Sequence, residues 1–245
     1  GVADDAVTFV DLEAYGGFFD DLERAFPPDY TAMPQSKGPI ARGAPPKQTL
    51  VVHDVGAFEA SFVPTRADFA RLDARFRMPE DVFAQHAAYA DHGFAVFQLA
   101  PEKGGFFGTA SKRQRIHPMA FTFPRREPDA LFFPTLHVHD GVVTESARFD
   151  HMLYCQVDGV LGETLDWTPS TTPLDAHVDT ARAHGLVLGE ARGRRTSMFG
   201  TLPNADVVLR APRGVRTEDL TGEGETFRYR AVSYTHLTLP TSELV

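Results

Sequence analysis

Apolar and polar positions along this chain alternate in short stretches that predict more strands than helices. Residues 6–12 (AVTFVDL) form a β-type run rich in branched side chains, broken at Tyr15-Gly16-Gly17. Phe18, Phe19, Leu22 and Phe26 then recur at helical spacing, and Pro27-Pro28 stops that helix. Residues 29–47 have no period and are rich in Pro, Gly and Lys/Arg, which predicts a long surface loop and the best candidate boundary in the chain. Residues 48–55 read as a strand that Gly56 ends or bulges. Residues 57–63 continue, with Phe58, Ala60 and Phe62 alternating against Ala57, Glu59 and Ser61. Thr65, with Asp68 three residues on, has capping-box spacing and opens a helix that buries Phe69, Leu72 and Phe76. Pro79, Glu80 and Asp81 start another helix, which Gly93 closes. Residues 94–99 (FAVFQL) are a buried strand, and 100–114 a Gly-rich basic loop.

The densest strand signal is residues 115–156. Residues 116–123 alternate, with Met119, Phe121 and Phe123 on the face of His117. Residues 131–139 are apolar on both faces, as in a strand covered from both sides. Asp140-Gly141 is the strongest hairpin signal, because a type I′ turn needs positive φ at both central positions. Residues 142–156 return as the partner strand. Beyond it, 174–184 has helical spacing with Gly185 as its cap, 191–201 is ambiguous, and 205–210 is a short strand. Strands outnumber helices and come as hairpins with helices inserted between them. The expected class is α+β, an antiparallel hairpin-rich sheet with a few helices.

The last residues change the picture. Residues 232–241 read VSYTHLTLPT, which looks like the translation of a common transposase sequencing adapter. Residues 232–245 are therefore set aside as an artefactual tail. A single α+β domain is expected over 1–231, with 29–47 as its loop or boundary, and the chain is read as a fragment. Residue 1 is Gly, so a missing leader would place the protein in the periplasm or outside the cell, and otherwise it is cytoplasmic.

Composition sets outer bounds. The 245 residues are 42% hydrophobic with a net charge of -9, so the surface as a whole repels nucleic-acid phosphates. The short basic runs at 112–115 and 192–195 read as solvated turns. No apolar run reaches the roughly 20 residues of a membrane helix. The one cysteine, Cys155, lies in an apolar strand and reads as a small core residue.

Histidines are the only candidate chemistry. His137 and His139 are two apart on one strand, so their imidazoles leave the same face toward one divalent ion such as zinc or iron. A third ligand is needed. If Asp140-Gly141 is a two-residue turn, His139 pairs with Val142 and His137 with Thr144. That register puts Asp150 on the histidine face and turns Glu145 and His151 away. His117, Asp150 and the His53-Asp54 pair are the remaining candidates. No GxSxG, phosphate loop or dinucleotide motif occurs. The expected function is a non-catalytic binding or structural domain without a cofactor. It would act through its strand-rich half on a protein or small-molecule partner. The alternative is a metalloprotein using His137 and His139 with His117 or Asp150.

From about Leu50 to Gly141 one order of features stands out. A strand (LVVHDVGAFEASFV) precedes two helices, carrying Phe69-Leu72 and Tyr89-Gly93, and a second strand (FAVFQL). A Gly-rich loop, HPMAFTFP and FFPTLHVHDG follow. This order resembles a family of bacterial proteins carrying a domain of unknown function, many of them exported. The resemblance covers under half the chain. It implies a mixed α+β domain and an extracytoplasmic place, and transfers no catalytic residue.

Overall fold

The computed structural model describes residues 6–28, 50–56, 58–73, 76, 89–99, 117–124, 127, 130–137, 143–157, 162 and 164–210, and the backbone of 230–235. Among them the fold is α+β and mainly antiparallel sheet, with one short α-helix, α1 (Phe18–Arg24), and several 3-10 turns. No described helix is long and apolar enough to cross a membrane. The chain forms two compact units, Gly1–Phe18 with Ala41–Pro124, and Phe19–Ile40 with Arg125–Val245.

The first unit centres on β3 (Phe58–Val63), paired antiparallel with β2 (Val52–Val55) on one side and β4 (Phe94–Leu99) on the other. β2 and β3 form a hairpin. Val55 pairs with Phe58 across Gly56, whose φ of 60° is what a two-residue hairpin loop requires at its first position. Gly56 thus ends one strand and starts the return. One face of the sheet packs Val63, Val96, Leu50 and Phe76 against Phe69, Leu72 and Phe94. On the other face Phe97 meets Phe58, Phe9 of β1 (Thr8–Val10) and Phe121 of β5 (Ala120–Thr122), and these two strands pair with each other. The polar residues of β3 are satisfied where they are buried. Gln98 Nε2 donates to Glu59 at 2.6 Å, and Ser61 Oγ donates to the Val51 carbonyl at 3.0 Å.

The helix expected from Thr65 is a 3-10 segment, Arg66–Arg71. The Thr65 hydroxyl bonds the Asp68 carboxylate at 2.7 Å instead of a backbone N–H, so the helix start has no side-chain cap to extend it. The helix expected from Pro79 lies outside the described residues, apart from its end at Tyr89.

The second unit is built on β7 (Ser146–Gln156), flanked by β9 (Arg194–Pro203) and by β11 (Arg230–Thr235), in the order β11-β7-β9-β8 with β8 at Thr168–Pro169. Val232 to Thr235 of β11, which lie in the stretch read as adapter, pair with Tyr154 to His151. β6 (Ala130–Phe133) pairs with β10 (Val207–Arg210). Among the described residues the expected pairing of 131–139 with 142–156 is therefore not formed. Each of those strands takes a partner far downstream, and Asp140-Gly141 lies outside the described residues. β7 alternates exposed and buried through its first half and is wholly buried from His151 onward. On one face Leu153 and Cys155 join Leu131, Phe133 and Val157, with Trp167 and Met198 alongside. On the other, Tyr154 is covered by Phe26, 5.4 Å between centroids.

Residues 174–184, expected as a helix, form a 3-10 turn (Leu174–Ala176) followed by further turns. Asp179 Oδ1 takes the Arg182 amide at 3.0 Å, a local bond that competes with helix, and His184 adopts φ 47°. Of the expected helical face, Leu174 and Val178 are buried but Ala181 is exposed, and Ala183 and Val187 are buried instead. The chain leaving α1 is held from afar. Ala25 O accepts from the Thr171 amide at 2.8 Å, and Pro27 O accepts from Arg195 Nη2 at 2.8 Å. The Arg195 guanidinium lies over the Phe26 ring, 5.2 Å from its centroid, so its charge faces carbonyls and a π-face at a helix C-terminus.

Candidate functional site

The histidine that meets His137 is His151, and it does so through a segment that has ceased to be a strand. β6 ends at Phe133, and residues 134–137 run on without a ladder partner. Side chains take over the pairing. Thr135 Oγ1 donates to Ala205 O at 2.9 Å and accepts from the Val207 amide at 3.1 Å. Asp206 accepts from the Leu136 amide at 2.9 Å, and Asn204 Oδ1 from the His137 amide at 2.7 Å. Asn204 Nδ2 also donates to the carbonyls of His137 and Thr144, at 2.8 and 3.0 Å. This stitching brings the His137 ring over Phe149, 4.4 Å between centroids at 27°.

Phe149 and His151 share the inward face of β7. Phe149 sits opposite Gly200 of β9, a residue with no side chain to compete for the space above it. His137 Nε2 and His151 Nε2 face each other at 2.8 Å, with ring centroids 4.8 Å apart. The nitrogens lie between the rings, head to head, so one ring donates its N–H and the other accepts. His151 is buried, and desolvation pulls its pKa below 6.5, against an opposing pull from the neighbouring Asp150 carboxylate. Its Nδ1 is 3.4 Å from Asp150 Oδ1 but makes no hydrogen bond of good geometry, since the two side chains leave opposite faces of the strand.

The other candidates are elsewhere. Asp150 is half exposed, on the face of β7 away from the histidine pair. His139 lies outside the described residues. His117 belongs to the first unit. It is buried there, against the edge of Phe58, its Nδ1 donating to Pro118 O at 2.9 Å and its Nε2 against the backbone of Gly56. His53, also in the first unit, is an exposed β2 residue beside Phe9, and Asp54 follows it. Among the described residues no group of three His, Cys, Asp or Glu side chains converges. A β6–β7 hairpin, which does not form among the described residues, would have turned His151 to the far side. The signal that finds it is the alternation Ala147, Phe149, His151 within β7 itself.

One small pocket lies in the same unit, lined by Leu22, Phe26, Tyr154, Leu174 and Val187 among others. Its free volume of about 10 Å³ is the room of a single water, so it is a packing gap rather than a ligand site. Cys155 borders it as a buried thiol whose pKa burial pushes up to about 12, partly offset by Arg194. No family model, curated protein or solved structure matches this chain.

Proposed function

We propose that this chain is a non-catalytic protein, binding or structural, in which the His137–His151 pair is a strap joining the end of β6 to β7. The supporting observation is the 2.8 Å Nε2–Nε2 bond. It turns the nitrogens toward each other, with both rings against Phe149 and one of them buried. A general base or a nucleophile's partner instead aims a nitrogen at the space where substrate sits. Metal analysis by mass spectrometry on the purified 245-residue chain tests the reading, beside the His137→Ala/His151→Ala variant. The expected result is far less than one ion per chain, with the variant destabilised.

The second reading is a metalloprotein, and the same distance favours it. Two imidazoles bound at right angles to one divalent ion, with bonds of about 2.1 Å, hold their nitrogens roughly 3 Å apart. Further ligands would then come from outside this pair. Near-stoichiometric zinc, iron or manganese in the wild type, absent from the double variant, would replace the first reading with this one.

A further inference from the structure

Within the basic run 192–195, Arg195 departs furthest from the solvated turn expected of it. It is 4% exposed, on β9 between Tyr154 of β7 and Thr168 of β8. Its Nη2 donates to Pro27 O, but its Nη1 is buried and has no hydrogen-bond partner. Among the described residues no carboxylate forms an ion pair with it, and its other contact is the Phe26 ring. A carbonyl and a π-face offer partial charges, whereas a buried cation is ordinarily matched by a full countercharge. Arg192 differs. It is exposed, and its Nη1 is shared between Ser170 O and Thr171 O, at 2.7 and 2.6 Å.

We propose that Arg195 binds an oxyanion, a carboxylate or a phosphate, through Nη1 and Nη2 together, with Pro27 O giving way to it. The guanidinium fork matches two oxygens of such a group, and charge-assisted pairs of that kind are stronger than a bond to a neutral carbonyl. Charge selects the ligand class. With 33 Asp and Glu against 24 Lys and Arg, the chain has carboxylates to spare, yet this buried cation is left to a carbonyl and a ring. The exchange suits the place. Pro27 is exposed, so its carbonyl passes to water on release, and the anion enters from that side. Upstream, Thr171 holds Ala25 O through its amide at 2.8 Å and its hydroxyl at 3.1 Å, so α1 stays attached when Pro27 lets go. The inference rests on the binding half of the reading above and gives it a ligand class, while the histidine pair has no part in it.

Calorimetric titration of the full chain with inorganic phosphate and, separately, with acetate tests this, with sodium chloride holding the ionic strength constant. The expected result is one saturable site per chain for at least one of the two, in the millimolar range, and the tighter probe tells phosphate from carboxylate. Arg195→Gln should lose the site. Arg195→Lys, which keeps the charge without the fork, should weaken it by about tenfold or more, the worth of one hydrogen bond to a charged group. Arg192→Gln should bind like the wild type. Arg195→Lys decides alone if Arg195→Gln does not fold. A wild type that binds neither anion saturably overturns the proposal, as does binding unchanged in the Arg195 variants or abolished equally by Arg192→Gln. Metal content of the histidine pair is read separately, so this inference and the reading above fail by different results.

Discussion

Asn204 holds His137 as a paired strand residue would. Its Oδ1 accepts from the His137 amide at 2.7 Å, and its Nδ2 donates to the His137 carbonyl at 2.8 Å. One carboxamide thus replaces the ladder where β6 has ended. Asn204→Ala leaves both groups, and the Thr144 carbonyl, without this partner. The expected loss is about 1–3 kcal/mol in urea unfolding. Asn204→Asp should be no better, since a carboxylate keeps the acceptor but faces two carbonyls. Unchanged stability in either variant would show that the stitch carries no weight.

The histidine pair makes stability depend on acid. Desolvation holds the His151 pKa below 6.5, so the unfolded chain takes up its proton first as pH falls. The contribution is full above about pH 6.5 and is lost progressively as pH falls from there through the lowered folded value. Wild type should therefore have a lower urea midpoint at about pH 5 than at about pH 7.5, and His151→Gln should flatten part of that drop. Equal pH slopes in the two proteins would contradict this.

Cys155 should be chemically silent in the native state. With its pKa at about 12, its thiolate fraction near neutral pH is on the order of a thousandfold below that of an open thiol. A chromogenic disulfide reagent should react only as the protein unfolds, at the unfolding rate. Rapid labelling of folded protein would place the thiol at the surface.

Gly56 is required twice over. Its φ is 60°, and a Cβ there would collide with His117 Nε2 and lie 2.9 Å from the Glu13 Cβ. Gly56→Ala should cost about 2–4 kcal/mol in thermal or urea unfolding, combining a left-handed backbone with a clash. Gly16→Ala is the control, at φ −58° with nothing within 4 Å of its added carbon, and should be nearly neutral. A loss under about 1 kcal/mol at Gly56 would mean that the hairpin yields.

Much of this fold is legible in the sequence where the pattern is local. α1, β3 and β4 lie where the spacing of Phe18, Leu22, Phe58, Phe62 and Phe94 puts them. Cys155 is the buried residue its apolar run suggests. What failed was pairing. Asp140-Gly141 is a strong turn signal, but a turn propensity says nothing of competitors 40 or more residues away. β7 found β9, which the sequence left ambiguous, and β6 found β10. Because side-chain parity was inherited from the assumed hairpin, the error passed straight to the site and hid His151. Asn204 was illegible for a related reason, since nothing local distinguishes an asparagine that completes a ladder from one in a turn.

The bond from Arg195 to Pro27 spans 168 residues of chain. At ribosomal speeds of 5–20 residues per second, roughly 8–34 s separate the emergence of its two ends. Phe26 waits roughly 6–26 s of that time for Tyr154, 128 residues on, and the whole of it for the Arg195 guanidinium. The exit of α1 at Phe26 is thus fully sheltered only after most of the second unit's chain has emerged. A nascent chain paused before β9 exposes an apolar segment that chaperones and proteases read as unfinished.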